Sequence, residues 1–287
     1  MARSSYVNGR YVPHREAAVH IEDRGYQFAD GVYEVVTIVA GRLVDEEPHF
    51  DRLERSLGEM QIEWPVSRRV LTLIVRQLIR RNRLENGILY MQITRGVAPR
   101  DHKFPIDTKP SLVMTTKRIN FLAERKYSDG VGVISIPDQR WSRCDIKTVS
   151  LLANCMGKQQ AAEAGAYEAW QIDKDGFVTE GTSSNSWIVT PDGHMLTRPP
   201  TNAILNGVTR LSLLRIAEEE GMVMEERAFT LEEAYQAQEA FVTSATSFVT
   251  PVVTLDGRPV GDGTPGTLTR RLVAWYTDYI AGLRATA

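Results

Sequence analysis

Two side chains in this sequence have the most to offer chemically. Lys147 closes the run Arg143-Cys144-Asp145-Ile146-Lys147, and Glu180 follows 33 positions later in Thr179-Glu180-Gly181-Thr182-Ser183-Ser184-Asn185. A lysine amine that is partly neutral attacks a carbonyl carbon and forms a Schiff base. A carboxylate held beside a pyridine nitrogen keeps that nitrogen protonated and strengthens electron withdrawal from a bound substrate carbon. These are the two protein groups that pyridoxal phosphate needs to work as an electron sink. Taken singly, each has an ordinary reading. A lone lysine is usually a solvated loop residue, and a Glu ahead of Gly181 and Ser183 equally suits a turn. Burial and a nearby cation both lower a lysine pKa, and Arg140 and Arg143 are close in sequence. A buried Glu180 needs a partner, and Arg140 is the expected one.

Three further groups of residues invite a binding role. Leu205-Asn206-Gly207-Val208-Thr209-Arg210 leads into an amphipathic helix starting at Thr209. Free N–H groups at a helix start attract an anion, and Gly207 lets a phosphate come close. The plain alternative is a capped helix. Arg52 can add a bidentate phosphate contact, although an arginine among Asp51, Glu54 and Arg55 equally suits a solvated face. In Pro99-Arg100-Asp101-His102-Lys103, residues two apart point the same way in extended backbone. Arg100 and His102 thus pair as carboxylate donors, with Tyr33 as a third. The plain reading of that segment is a charged surface loop.

These side chains need elements to hold them. Tyr6 to Val12 alternates around Asn8-Gly9, a hairpin signal. A Gly-punctuated stretch from Glu22 to Gly31 leads into a strand over Val32 to Ile38. Helices are expected from about Pro48 to Met60, and from Pro65 to a stop at Gly87. Strands follow at Ile88 to Thr94 and Ser111 to Thr116. The pattern loosens through Asn120 to Glu124, which sets an expected boundary between domains 1–120 and 121–287. The second half begins with a strand at Val131 to Ile136. A helix over Ser150 to Ala164 comes next, with Leu151, Leu152, Cys155 and Met156 on one side. Strands at Tyr167 to Ile172 and Ser186 to Thr190 precede a turn at Pro191-Asp192-Gly193 and a short strand. A helix over Thr209 to Glu220 ends at Gly221. Thr230 and Glu233 form a capping box. Strands at Ala240 to Ser244 and Val252 to Leu255 precede a last helix, Leu268 to Leu283. Mixed elements in both halves predict two α/β domains with a ligand cleft between them.

Bulk properties set limits. The 287 residues suffice for two domains of ordinary size, and 43% hydrophobic with 24% charged residues is the composition of a folded soluble protein. A net charge of -2 offers no attraction to nucleic acid or an anionic membrane. No apolar run approaches the roughly 18 residues that a membrane helix requires, and no signal peptide is visible. Cys144 and Cys155 make no disulfide framework, so a reducing cytoplasm is expected. The five histidines lack metal-ligand spacing, so no metal is expected.

Arg24-Gly25-Tyr26-Gln27-Phe28, Asp30-Gly31-Val32-Tyr33-Glu34-Val35 and His49-Phe50-Asp51-Arg52-Leu53 occur in that order. Thr94-Arg95-Gly96, Pro99 to His102, Arg140-Trp141, Cys144 to Lys147, Thr179 to Asn185, Gly207 to Arg210 and Phe241 to Ser244 follow. From about Tyr6 to the last helix, the chain closely resembles the fold-type IV pyridoxal-phosphate transaminases. Arg100 and His102 with Tyr33 point to their D-amino-acid branch. The resemblance implies a smaller N-terminal and a larger C-terminal α/β domain, with the cofactor in the cleft between them. Lys147 would form the internal aldimine and shuttle the proton. Glu180 would pair with the pyridine nitrogen, with Arg140 behind it and Ser184 and Asn185 in the same motif. Arg52, Gly207, Val208 and Thr209 would bind phosphate, closed by Ser244-Ala245-Thr246, and Leu205 would pack on the ring. Tyr33, Arg100 and His102 would trap the substrate carboxylate. Many relatives carry Thr at the position of Ala245, so the resemblance implies one phosphate hydroxyl contact fewer here, with the Ala245 N–H and Thr246 left to serve in its place. The expected activity is a ping-pong transfer from D-alanine or a similar donor to 2-oxoglutarate or another keto acid, by a cytoplasmic homodimer. Branched-chain L-amino-acid or (R)-amine transamination, aminodeoxychorismate lysis and a non-enzymatic binding protein are the alternatives.

Overall fold

The computed structural model describes residues 3–121 and 126–282. The chain forms two compact units. One is Met1–Leu122 with Ile146–Ser150, the other Ala123–Asp145 with Leu151–Ala287. Of the loosened stretch Asn120 to Glu124, residues 122–124 lie outside the described residues, as does Leu283 of the expected last helix. Among the described residues, no helix is long and apolar enough to cross a membrane.

In the first unit, six strands form an antiparallel sheet in the order β2-β1-β6-β5-β3-β4. They are β1 (Ser4–Val7), β2 (Arg10–Pro13), β3 (Gly31–Val39), β4 (Arg42–Leu43), β5 (Gly87–Thr94) and β6 (Ser111–Arg118). The β1–β2 turn is Asn8-Gly9, both at positive φ, as the hairpin signal predicts. The Gly-punctuated stretch folds into a short helix, α1 (Arg24–Phe28). The Asp23 side chain caps it by accepting the Gly25 N–H. Helices α2 (Glu46–Glu59) and α3 (Arg68–Asn82) lay Phe50, Leu53, Leu57, Leu71, Val75 and Leu78 against Val32, Ile38, Leu89 and Met91 of the sheet.

Helix α3 is shorter than Pro65 and Gly87 suggested. The Ser67 side chain accepts from the Val70 N–H at 3.4 Å and starts it, leaving Pro65 and Val66 outside. Arg83, left-handed at φ 46°, ends it. Gly87 opens β5 instead, where a Cβ would lie 2.2 Å from the Lys117 carbonyl oxygen.

The second unit holds a mixed sheet in the order β12-β11-β10-β13-β14-β7-β8-β9, with β15 against β14. Its strands are β7 (Val131–Pro137), β8 (Glu168–Ile172), β9 (Val178–Gly181), β10 (Asn185–Val189), β11 (Met195–Thr197), β12 (Met224–Glu226), β13 (Glu239–Ser244), β14 (Phe248–Leu255) and β15 (Arg258–Pro259). Its helices are α4 (Lys126–Asp129), α5 (Leu152–Glu163), α6 (Val208–Glu219), α7 (Leu231–Tyr235) and α8 (Thr267–Ile280). Trp170, Phe229, Val242 and Leu255 are fully buried in its core. Thr230 and Glu233 form the capping box of α7.

Helix α5 turns the opposite way from its apolar pattern. Leu152 is 75% and Met156 50% exposed, while Gly157 and Ala161 face inward. The close approach explains this: a Cβ on Gly157 would stand 2.5 Å from Ile136 Cδ1 and 2.9 Å from Thr182 Cγ2. Only the small residues fit there.

Candidate active site

Each unit presents its own set of candidate side chains. In the first, Ile146–Ser150 runs along the edge of β3 beyond the reach of two-residue β4. Tyr33 donates its N–H to the Lys147 carbonyl at 3.0 Å, Val149 donates to Gly31 at 3.1 Å, and Val32 bridges Thr148. The Lys147 N–H reaches Ser56 Oγ on α2 at 3.4 Å. A lysine from a distant stretch of chain is thus fixed on a strand edge. Its half-buried amine lies 3.3 Å from the Tyr33 hydroxyl and 4.3 Å from the ring centroid. The Tyr33 ring packs on Tyr90, whose hydroxyl donates to Gln92 at 2.7 Å. Burial, and then the neighbouring Tyr33, push the Tyr90 phenol up to about 12, so it stays a neutral donor.

Arg52 is on α2, but it does not face solvent. It forks onto fully buried Glu34, Nε to Oε1 at 2.7 Å and Nη2 to Oε2 at 2.8 Å. His49 Nδ1 lies 2.8 Å from the same carboxylate. Burial alone would raise the Glu34 pKa. The charge and hydrogen bonds of Arg52, aided by His49, outweigh it and hold it at about 2. Burial pushes His49 down, so Arg52 is the charged partner and the imidazole is neutral.

This pairing has a measurable consequence. A carboxylate depressed from about 4.5 to about 2 stabilises the fold fully above pH 4.5 and loses that stabilisation as pH falls toward 2. The contribution is about 3 kcal/mol. Acid unfolding followed by circular dichroism should show this increment in the wild type and not in Glu34→Gln. Equal slopes in the two proteins would remove Glu34 from the account.

The loop after β5 carries Arg100 and His102, both exposed. Both pack on Phe28: the Arg100 guanidinium is 4.8 Å from the ring centroid, and the His102 ring is 5.4 Å away. Among the described residues, no hydrogen bond or ring contact joins either to Tyr33.

In the second unit, Glu180 lies on β9 and is buried, not in a turn. Its carboxylate accepts from Arg140 Nη1, from Asn185 Nδ2 at 3.0 Å and from the Leu205 N–H at 3.1 and 3.2 Å. Arg140 also forks onto Asp138, at 3.0 and 2.7 Å. Burial alone would lower the Arg140 pKa, but hydrogen bonds to Asp138 and the charges of Glu180 and Asp138 hold it above its ordinary value. Burial raises the Cys144 thiol to about 11, so this neighbour of Lys147 is no thiolate nucleophile.

Gly207 is the N-cap of α6, and a Cβ there would meet Asn185 Oδ1 at 2.2 Å. The absent side chain lets Asn185 reach Glu180 and bares the first N–H groups of the helix, those of Val208 and Thr209. Ser244 ends β13, and Ala245 and Thr246 begin the turn to β14. There the Ser244 hydroxyl accepts from the Thr246 and Ser247 N–H groups at 3.3 and 3.1 Å. Ser184 donates to buried Glu168 at 3.1 Å, alongside Thr182 and Ser183. Taken unit by unit, these groups fit the chemical needs of pyridoxal phosphate: the first unit offers an amine that would meet its aldehyde, and the second offers a buried, hydrogen-bonded carboxylate that would accept from its ring N–H, with N–H and hydroxyl groups that would hold its phosphate.

The sequence reading missed Glu34, His49, Asp138 and Glu168. One signal was available: Glu34 shares the buried face of β3 with Val32, Val36 and Ile38. A charged residue in an inward position marks a paired site.

Residues 31–255 match the family model described as amino-transferase class IV. The chain is 44% identical to a D-alanine aminotransferase of Bacillus licheniformis, over 92% of this chain and 93% of that one. It is 40% identical to a D-alanine aminotransferase of Staphylococcus haemolyticus, over 96% and 97%. Among solved structures, the branched-chain amino acid aminotransferase of Escherichia coli superposes with a TM-score of 0.91 at 22% identity, covering 99% of this chain and 97% of that one. A T.th. branched-chain amino acid aminotransferase with pyridoxamine 5'-phosphate also gives 0.91, at 24% identity and 99% and 96% coverage. The α/β architecture is therefore that of fold type IV. With more than half of its length matched by the family model, this chain belongs to the class IV aminotransferases.

Proposed function

We propose that this chain is a pyridoxal-phosphate-dependent D-amino-acid transaminase. It takes the amino group from D-alanine or a similar D-amino acid and passes it to 2-oxoglutarate or another 2-keto acid in two half-reactions. The observation that carries this reading is nearly full-length similarity to D-alanine aminotransferases, at 44% and 40% identity to the two named above. When bound, the cofactor supplies the electron sink that lets the bond to the substrate α-hydrogen ionise. Lys147 holds the cofactor and moves that proton, with the Tyr33 hydroxyl beside its amine. Glu180, whose carboxylate already takes three donors, would accept from the ring N–H. Arg52, Gly207, Val208, Thr209 and the Ser244-Ala245-Thr246 turn hold the phosphate, and Leu205 supports the ring. Tyr33, Arg100 and His102 bind the substrate carboxylate. Fixing that group decides which face of the α-carbon is offered to Lys147.

Two further readings belong with this one. The working form is a homodimer, which would cover exposed Ile21, Tyr26 and Ile106, at 75%, 76% and 89%. Mass photometry giving a monomer at working concentration contradicts it. The compartment is the cytoplasm, which suits two free cysteines.

A half-reaction assay with D- and L-alanine, glutamate and leucine tests the main proposal. Conversion of D-alanine far faster than L-alanine is expected. L-leucine or L-glutamate as the better donor would move the chain to the branched-chain reading. Arg100→Ala should weaken use of D-alanine roughly 10- to 100-fold, the value of one charge-assisted contact at about 1.5–3 kcal/mol. The comparison is the KM for D-alanine in the two proteins.

A further inference from the structure

Arg100 and His102 are exposed on a loop, yet their contacts come from outside it. The half-buried Phe28 ring, the last residue of α1, receives three groups. The Arg100 guanidinium lies 4.8 Å from its centroid, that of Arg24 4.7 Å, and the His102 ring centroid 5.4 Å away. Stacking engages the face of a guanidinium and leaves its N–H edge free to fork onto a carboxylate. Phe28 therefore restrains Arg100 without consuming its donors.

Arg24 acts on the backbone of the same loop. It is only 2% exposed, and its Nη1 donates at 2.6 Å to the carbonyl of Asp101, the residue between Arg100 and His102. Holding that carbonyl fixes the backbone between the two side chains. Arg24 is fixed in turn. Its Nε donates to Asp30 at 2.7 Å, and Asp30 also accepts from Arg95 at 2.7 and 3.0 Å. The whole of α1 is rooted in the end of β5. The Thr94 hydroxyl donates to Asp23 at 3.0 Å, the Arg24 N–H reaches the Gly96 carbonyl at 2.8 Å, and a Cβ on Gly25 would meet Thr94 Cγ2 at 2.2 Å. The template that holds the loop is thus built on the sheet.

We infer that Arg24 and Phe28 are positioning residues for the substrate carboxylate, presetting Arg100 and His102 and so setting the preference for substrates that carry one. This rests on the assignment of Arg100 and His102 as carboxylate donors. A preset pair costs less ordering on binding than a mobile one. The effect therefore belongs in the affinity for D-alanine and not in the rate at saturation.

The test uses the holoenzyme and three single variants, Phe28→Leu, Arg24→Lys and Arg100→Ala, with Phe28→Leu/Arg100→Ala as the double. Phe28→Leu keeps apolar volume and removes the ring. Arg24→Lys keeps charge and removes the guanidinium that spans Asp30 and the Asp101 carbonyl. In each of these two, KM for D-alanine should rise roughly three- to tenfold, with kcat within about twofold of wild type. In the Arg100→Ala background, Phe28→Leu should add almost nothing, because it acts through Arg100. A purely structural role would lower kcat or add in full in the double variant, and either result overturns the inference. Should Arg24→Lys fail to fold, Phe28→Leu, at a half-buried position, decides alone. If Arg100→Ala raises KM and Phe28→Leu does not, the positioning role falls and the carboxylate assignment stands. If Arg100→Ala leaves KM unchanged, that assignment falls and takes the inference with it.

Discussion

Lys147→Ala is expected to abolish transamination, by at least about 10³-fold, with the fold intact. Losing proton transfer alone costs roughly 10²–10⁴-fold, and losing covalent attachment adds to it. The fold should survive because the bonds that anchor this segment are backbone bonds, from Tyr33 N–H and to Ser56 Oγ, which alanine keeps. The contacts of the amine itself are with Tyr33, at its hydroxyl and its ring. Borohydride reduction of the purified protein with its cofactor, followed by peptide mass mapping, should place the adduct on Lys147. Lys158 is a poor substitute, since its amine already donates to the Tyr167 carbonyl and lies 3.5 Å from Glu168. An adduct on Lys158 or Lys117 would refute the assignment.

Glu180→Gln should slow the half-reaction with D-alanine on the order of 10²-fold while the cofactor stays bound. Charge is one reason, since a neutral amide cannot keep a ring nitrogen protonated. Hydrogen bonding is another. Both Glu180 oxygens accept: one from Arg140 and Leu205, the other from Asn185 and Leu205. Glutamine offers one oxygen and turns an NH₂ toward a donor, leaving a buried mismatch that costs about 1–3 kcal/mol. A lower Tm should therefore accompany the slower rate. Stopped-flow spectra at a temperature where both proteins are folded separate the two effects. A near-normal rate there would mean that Glu180 does not serve the ring nitrogen.

Much of the fold was legible because its signals are local. Asn8-Gly9, the β-branched run of β3, and the Thr230/Glu233 box each declare an element within a few residues. Errors arose where tertiary packing outweighs pattern. The apolar stripe of α5 is exposed because the approach to Ile136 admits only glycine and alanine. Strand β9 went unseen because Thr179-Glu180-Gly181 has turn composition, and its pairing with β8 is long-range. The Arg140–Glu180 contact could be anticipated, since a buried carboxylate needs a cation. Glu34 with Arg52 was missed because the neighbours of Arg52 in sequence are charged, although α2 turns it toward β3. Spacing along the chain does not report which way a helix is rotated.

The return of Ile146–Ser150 to the edge of β3 also sets a schedule. Tyr33 and its lysine partner are 114 residues apart in sequence. At a synthesis rate of about 5–20 residues per second, Tyr33 leaves the ribosome roughly 6–23 s before Lys147 does. During that interval the Gly31 end of β3 has an unpaired edge where the Tyr33 N–H and the Gly31 carbonyl await their partners, a surface open to pairing with other nascent chains. The same strand edge that later seats Lys147 is thus one that a growing chain needs shielded.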